Sequence, residues 1–130
     1  MKLIDTDIAI DHFHGHQAAQ DYFAETLAAG ESLAISIVTL TELMAGMRPG
    51  EEARTEGLLN LFVLLEIDEP VGRKAGEYLR EFARSDRLEL GDALIAACAA
   101  TKGAELVTRN TKHYPMTDIQ VISPYQRGRS

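Results

Sequence analysis

The sequence predicts an α/β fold built on a central, mostly parallel sheet of four to five short strands with helices on both faces. Short apolar segments such as LAISI at 33–37 and FVLLEI at 62–67 alternate with helical stretches, which is typical of parallel sheets whose strands are joined by helices. The segment GDALIAACAAT at 91–101 is apolar on nearly all sides, as a buried helix should be. The chain of 130 residues is 45% hydrophobic and 25% charged, so residues 1–130 are expected to form a single domain.

The first half of the chain is expected to contain two strands and three helices. They are a strand at Lys2–Thr6, helices at Asp7–Phe13 and Gln17–Ala29, a strand at Leu33–Ile37 and a helix at Val38–Met47. The first helix is expected to stop near Gly15 and the second at Gly30. The third ends before Pro49-Gly50, a pair that interrupts helices.

The second half continues the alternation of helices and strands. It is expected to contain a helix at Glu51–Leu61, a strand at Phe62–Ile67, a helix from the Asp68 cap to about Arg84, a helix at Gly91–Thr101, and strands at Glu105–Thr108 and Ile119–Ile122. Pro70 suits the first turn of its helix, and Gly103 ends the next one. The C-terminal QRGRS is interpreted as a frayed end.

Composition favours a cytosolic protein with no membrane segment. Cys98 is the one cysteine, so no internal disulfide can form, and a reducing compartment is expected. The N-terminus has no signal-peptide pattern, and no apolar run approaches the roughly 18 residues of a membrane span. The net charge of −7 lacks the basic footprint usual for nucleic-acid binding. It suits carboxylates gathered around a divalent cation, or a partner with a basic segment.

Polar side chains follow several predicted strands where ligands bind in parallel sheets. They are Asp5, Thr6 and Asp7 after the first strand, Glu42 one turn into the helix after the second, Asp92 at the start of the buried helix, and Thr108, Arg109 and Asn110 after the fourth. Crowded carboxylates repel one another unless a cation neutralises them. Mg²⁺ or Mn²⁺ is the expected occupant, and such a site can promote cleavage of a phosphodiester.

Each acid also has a structural interpretation. Thr39 and Glu42 match a capping box, Asp92 suits the positive end of a helix dipole, and Asp5 could be a turn residue. His12, His14 and His16 invite a zinc site, although a surface turn around Gly15 is favoured because no cysteine pair completes it. A further set of side chains could form either core or a groove for a partner: Tyr22, Phe23, Leu27, Leu43, Met44 and Met47.

Four blocks of the sequence, in order LIDTDIAID, TELMAG, GDALIAACA and LVTRNTKHY, resemble the PIN-domain family, specifically its VapC-type toxins. The resemblance implies a three-layer sandwich. It assigns catalytic and metal-binding roles to Asp5, Glu42 and Asp92. The family's fourth acid falls on Asn110, which carries no charge but could still give a carbonyl oxygen to a second metal or hold a metal-bound water. Thr6 and Thr108 would support the metal-binding acids by hydrogen bonds. Asp7 would either give the same support or be a metal ligand itself.

The resemblance further implies a toxin that hydrolyses single-stranded or structured RNA with Mg²⁺ or Mn²⁺. Arg109, Lys112 and His113 would hold RNA phosphates at the rim, or form an ordinary charged turn. The implied partners are a second copy of the chain and a VapB-type antitoxin whose C-terminal segment brings a basic side chain toward the acids. Operator DNA would be reached only through the antitoxin.

Three other functions remain open at this stage. A PIN fold could serve as a binding module with little catalysis, acting with a DNA-binding partner. Asp5 and Asp7 also match the D-x-D start of haloacid-dehalogenase-type phosphatases, where Asp5 would be the nucleophile and Asp7 the acid. A receiver domain would need Asp68 as its phosphorylated residue.

Overall fold

The computed structural model describes residues 1–126. The predicted frayed end lies outside these residues from position 127 onward. The strands are β1 (Lys2–Ile4), β2 (Leu33–Ser36), β3 (Val63–Leu65), β4 (Glu105–Val107) and β5 (Val121–Ile122). The helices are α1 (Thr6–Phe13), α2 (Gln17–Ala28), α3 (Ile37–Ala45), α4 (Glu52–Leu59), α5 (Glu69–Phe82) and α6 (Leu90–Lys102), with a short 3₁₀ helix at Thr111–His113.

The five strands form one parallel sheet in the order β3-β2-β1-β4-β5. The central strand, β1, pairs Leu3 with Ala34 of β2 and with Leu106 of β4. Because the strands are parallel, the carboxyl ends of β2, β1 and β4 lie side by side. The predicted fold class is therefore confirmed.

Two apolar cores cover the two faces of the sheet. One contains Val71 and Tyr78 of α5 with much of α6, and the other contains Ile8 of α1, Phe23 of α2 and Leu58 of α4. The buried positions of α6 are mostly small: Ala93, Ile95, Ala96, Ala97, Cys98 and Ala99. Small side chains let α6 pack closely, which brings its first turn toward the carboxyl ends of the strands.

Local details of the structure differ from the predictions. Asp5 lies beyond β1 and is the N-cap of α1. The capping box at Thr39 and Glu42 is wrong, because Ser36 caps α3 and its hydroxyl accepts from the Thr39 N–H at 3.2 Å. The 3₁₀ helix at Thr111–His113 was not predicted.

No helix within residues 1–126 is long and apolar enough to span a membrane. Gly15 and Gly103 have the positive φ values of 76° and 67° expected where a helix ends.

Replacement of Leu106 by alanine tests the packing of the central strands. Leu106 is 0% exposed, so we expect a loss of about 2–5 kcal/mol in the free energy of unfolding, from lost burial and a cavity. Leu27→Ala on α2 is the matched control, since Leu27 is 45% exposed. Urea titration measures both, and equal losses would contradict the assignment of Leu106 to the core.

Candidate active site

Asp5 stands where β1 ends and α1 begins, and it is 9% exposed. Its N–H donates to the Val107 carbonyl of β4 at 2.9 Å, which fixes its position between two strand ends. Its Oδ1 accepts from the Thr6 N–H at 2.8 Å. Its Oδ2 accepts from the hydroxyls of Thr108 and Tyr114, each at 2.9 Å. The carboxylate is thus held on both oxygens.

Tyr114 connects Asp5 to Asp92. Its hydroxyl oxygen lies 2.9 Å from Oδ2 of Asp5 and 3.4 Å from Oδ1 of Asp92. Asp92 belongs to the first turn of α6, and Tyr114 follows the 3₁₀ helix with 5% of its surface exposed. A neutral phenol has one proton, so it donates to one carboxylate at a time, and the shorter distance favours Asp5.

Glu42 reaches the same edge of the sheet from α3. The Thr6 hydroxyl donates to Oε1 of Glu42 at 2.6 Å and lies 2.9 Å from the Thr39 hydroxyl. Because Thr6 gives its proton to Glu42, the Thr39 hydroxyl donates to Thr6. Glu42 is exposed, and it is connected to Asp5 through Thr6 rather than by direct contact.

Asp7 receives hydrogen bonds from the loop that follows β4. Its Oδ2 accepts from the Arg109 N–H at 3.0 Å and from Nδ2 of Asn110 at 3.1 Å. The Thr108 hydroxyl lies 3.4 Å from the same oxygen, and Oδ1 accepts from the Ile8 N–H at 2.8 Å. Asp7 is therefore the acceptor that holds the loop. The side-chain N–H of Asn110 is occupied by its hydrogen bond to Asp7.

The side chains expected at an RNA-binding rim have different environments. Lys112 and His113 are exposed in the 3₁₀ helix. The Arg109 guanidinium instead turns inward, and its Nε donates to Oδ2 of Asp11 at 2.8 Å. Asp11 is 0% exposed and the Arg109 side chain is 26% exposed, so this guanidinium is paired with a buried carboxylate, and its contact with RNA stays a prediction.

The pKa values of Asp92, Asp7 and Tyr114 are raised in this site. Burial raises the pKa of Asp92, and the neighbouring charge of Asp5 adds to this effect. The same two causes raise the pKa of Asp7, although the hydrogen bond from the Arg109 N–H opposes them. Burial and the charge of Asp5 raise the pKa of Tyr114 far above its ordinary value, so Tyr114 remains a hydroxyl donor.

The donor chemistry of Asp5, Glu42 and Asp92 fits a hard divalent cation, which prefers oxygen ligands. Within residues 1–126, no three His, Cys, Asp or Glu side chains are already gathered as a metal site. The Tyr114 hydroxyl lies between Asp5 and Asp92, and the Thr6 hydroxyl joins Glu42 to the N-terminus of α1. The hydroxyls thus connect the three acids.

The three histidines near Gly15 point to different neighbours. His12 stacks on Phe23 with ring centroids 4.5 Å apart, and His16 meets the edge of Tyr125 at 5.6 Å. His14 is exposed. The segment around Gly15 is therefore a surface turn, as expected, and His12, His14 and His16 do not come together in one site.

A groove of about 520 Å³ lies between α1, α3 and α4, and Glu42 stands on its wall. Its lining residues are Ile10, Phe13, His14, Glu42, Leu43, Gly46, Met47, Arg48, Glu51, Thr55 and Leu58. Of the six residues expected to form either core or a groove, Leu43 and Met47 line this groove, whereas Phe23 is core at 2% exposed. Tyr22, Leu27 and Met44 do not line the groove.

Residues 2–118 match the family model described as PIN domain. The chain belongs to the PIN-domain family. Its PIN domain is 40% identical over 122 residues to Ribonuclease VapC19 of Mycobacterium tuberculosis (strain ATCC 25618 / H37Rv), an alignment that covers 92% of this chain and 98% of the relative.

Solved structures share the fold of this PIN domain. A toxin-antitoxin complex from Klebsiella pneumoniae has a chain with 32% identity and a TM-score of 0.79, covering 97% of this chain and 99% of the other. A DNA-bound VapBC from Salmonella typhimurium gives 22% identity and a TM-score of 0.81, with 95% and 98% covered. Membership of the PIN family removes the phosphatase and receiver alternatives.

Sequence reasoning missed Tyr114, Thr39 and the Asp11–Arg109 pair. The block LVTRNTKHY contains Tyr114, but an aromatic residue after a turn is usually core. Thr39 was read as a helix cap. Asp11 lies in the first block, and its spacing of three residues from the apolar Ile8 was the available signal, because a carboxylate buried on the apolar side of a helix needs a partner.

Replacement of Asp92 by asparagine tests the repulsion between Asp92 and Asp5. A carboxyl whose folded pKa is raised stabilises the fold while protonated, and this contribution is lost as the pH rises above the ordinary value of 3.8 through the folded pKa. Without divalent cations, Asp92→Asn should therefore unfold at a higher temperature than the wild type at neutral pH. The difference should vanish in acid.

Thermal unfolding in EDTA across a pH series measures this effect. Asp21→Asn is the control, because Asp21 is exposed on α2 and its carboxylate contacts Gln17 of the same helix. A wild type and an Asp92→Asn variant with parallel pH profiles would show that the two carboxylates do not repel each other.

Proposed function

We propose that this protein is a metal-dependent endoribonuclease of the VapC toxin type, with Asp5, Glu42 and Asp92 as its catalytic and metal-binding carboxylates. The observation that carries the proposal is the Tyr114 hydroxyl lying between Asp5 and Asp92 at the carboxyl edge of the sheet. The 40% identity to a protein named a ribonuclease supports the reaction class.

Each supporting side chain has a distinct role in this proposal. Thr108 and Tyr114 orient the Asp5 carboxylate, and Thr6 orients Glu42. Mg²⁺ or Mn²⁺ held by the three acids would stabilise charge on the phosphodiester and acidify water. Lys112 and His113, exposed beside the site, would contact RNA phosphates.

The acidic charge of the chain is compatible with RNA as substrate. The net charge of −7 would repel phosphates if the carboxylates of the site stayed uncompensated. A bound divalent cation reverses the local sign. RNA binding and cation binding should therefore depend on each other.

The proposed partner is a VapB-type antitoxin. A chain of the toxin-antitoxin complex from Klebsiella pneumoniae is 32% identical to this one, which supports this assignment. The groove between α1, α3 and α4 offers apolar walls, with Glu42 and Glu51 on its lining, and these features suit an amphipathic segment that carries a basic side chain. Operator DNA would be contacted through the antitoxin. Homodimerisation, a cytoplasmic location and a single domain over residues 1–130 stay predictions.

RNA cleavage by the purified chain, free of partner, tests the proposed activity. Cleavage of a panel of structured and unstructured RNAs should require Mg²⁺ or Mn²⁺ and stop in EDTA. Glu42→Gln should lower the rate by at least about 100-fold, because the change removes a charge from the site but keeps its shape. Glu81→Gln is the matched control, since Glu81 is exposed on α5.

Equal rates for Glu42→Gln and Glu81→Gln would contradict the assigned site. A folded wild-type protein that binds Mn²⁺ but cuts no RNA would favour a single narrow target. One that binds neither metal nor RNA would favour the PIN fold as a binding module.

Replacement of Leu43 by aspartate tests the groove as the antitoxin site. A charge introduced on the apolar wall should weaken antitoxin binding by about 10-fold or more, because the wall would bury an unpaired carboxylate in the complex. Isothermal titration with the antitoxin measures binding, and Leu64→Asp on β3 is the control, as Leu64 is 46% exposed away from the groove. Unchanged affinity of the Leu43 variant would place the antitoxin elsewhere.

A further inference from the structure

We propose that Asp11 and Arg109 form an anchor that positions the loop Thr108–Asn110 on the candidate acids, and that Arg109 does not contact RNA. The inference rests on the proposed function. It reassigns Arg109 from a phosphate-binding residue to a positioning residue, and it gives Asp11 a role that the strand-end pattern does not indicate.

The first support is the geometry of the pair. Nε and Nη2 of Arg109 lie 2.8 and 3.5 Å from the two carboxylate oxygens of Asp11. A bidentate contact between a guanidinium and a carboxylate fixes the orientation of the two groups as well as their distance. The Arg109 side chain is 26% exposed and that of Asp11 is 0% exposed.

The second support is the cost of breaking the pair. Removing one partner of a buried ion pair is strongly destabilising, because the other charge stays buried. An RNA phosphate could take Arg109 only by breaking its 2.8 Å contact with the buried Asp11 carboxylate. The guanidinium is therefore committed to the protein interior, while Lys112 and His113 remain exposed nearby.

The third support is the set of contacts on either side of the anchored residue. The Arg109 N–H donates to Asp7 at 3.0 Å. The preceding Thr108 hydroxyl donates to Asp5 at 2.9 Å, and the following Asn110 amide donates to Asp7 at 3.1 Å. Three consecutive loop residues thus hold the acids at the start of α1, and the central one is tied by its side chain to the same helix.

The C-terminal segment completes the anchor. The Tyr125 hydroxyl donates to Oδ2 of Asp11 at 3.0 Å, and its ring meets His16 edge-on at 5.6 Å. Tyr125 lies beyond residues 2–118, which the family model matches. The segment after β5 therefore contributes a contact to the charge that holds the loop.

Replacement of Arg109 by glutamine separates positioning from phosphate binding. Arg109→Gln and Asp11→Asn should each raise the Mn²⁺ dissociation constant of the RNA-free protein by about 10-fold or more, as for other residues that orient metal ligands. Both should lower kcat while KM for RNA and the salt dependence of RNA binding stay near wild type. Isothermal titration, cleavage kinetics and binding at several salt concentrations give these quantities.

Lys112→Gln is the contrasting variant. It should leave the Mn²⁺ affinity unchanged and reduce the slope of log K against log salt by about 1, as loss of one phosphate contact does. If Arg109→Gln behaves like Lys112→Gln, with reduced slope and normal Mn²⁺ affinity, Arg109 is a phosphate contact and the anchor is rejected.

Amide hydrogen exchange tests the anchor without any activity. Asp11→Asn should accelerate exchange of the Arg109 N–H, which donates to Asp7, and unchanged exchange would overturn the proposal even if the nuclease assignment holds. Should Asp11→Asn fail to fold, Tyr125→Phe removes one hydroxyl from Asp11 and should shift the same amide in the same direction to a smaller extent. Accelerated exchange in this variant, together with a wild type that binds neither metal nor RNA, would reject the nuclease and retain the anchor.

Discussion

Repulsion among carboxylates at one edge of the sheet is the constraint on which the surrounding structure depends. The Tyr114 hydroxyl lies between Asp5 and Asp92, and the Thr108 hydroxyl lies between Asp5 and Asp7. Each hydroxyl carries a single proton, so each can satisfy one of its two acids at a time. The hydroxyl donors therefore hold the carboxylates in place without neutralising them, and the uncompensated charge is what a divalent cation would offset.

Short strands bring these acids together. β1 has three residues, so the chain passes directly from the sheet into α1, and Asp5 both follows the strand and caps the helix. β1 lies between β2 and β4 in the sheet, which places the start of α3 and the loop after β4 on either side of Asp5. The alanines of α6 permit close packing on the sheet, which brings Asp92 in the first turn of this helix toward Asp5.

Most of this arrangement could be predicted from the sequence, because strand ends in a parallel sheet obey a simple rule. Apolar segments located the strands, and polar residues after them identified Asp5, Asp7 and Thr108. The same rule could not identify contacts between residues distant in the chain. Tyr114 looks like core by its type, and Arg109 looks like a surface cation until its pairing with Asp11, which is 98 positions away, is known. Sequence spacing describes one element at a time, whereas these pairings depend on packing between elements.

The charge of the loop after β4 limits how the protein could hold RNA. Its arginine is committed to Asp11, which leaves Lys112 and His113 as the exposed side chains of the 3₁₀ helix that could contact phosphate. Two contacts supply little of the electrostatic attraction on which phosphate binding depends. If Asp5, Glu42 and Asp92 hold a cation as proposed, that ion is the strongest positive charge near the scissile phosphate. An antitoxin that places a basic side chain among the same acids would then occupy the position of the ion. By displacing the ion, this single side chain would remove both the catalytic group and the main attraction for RNA.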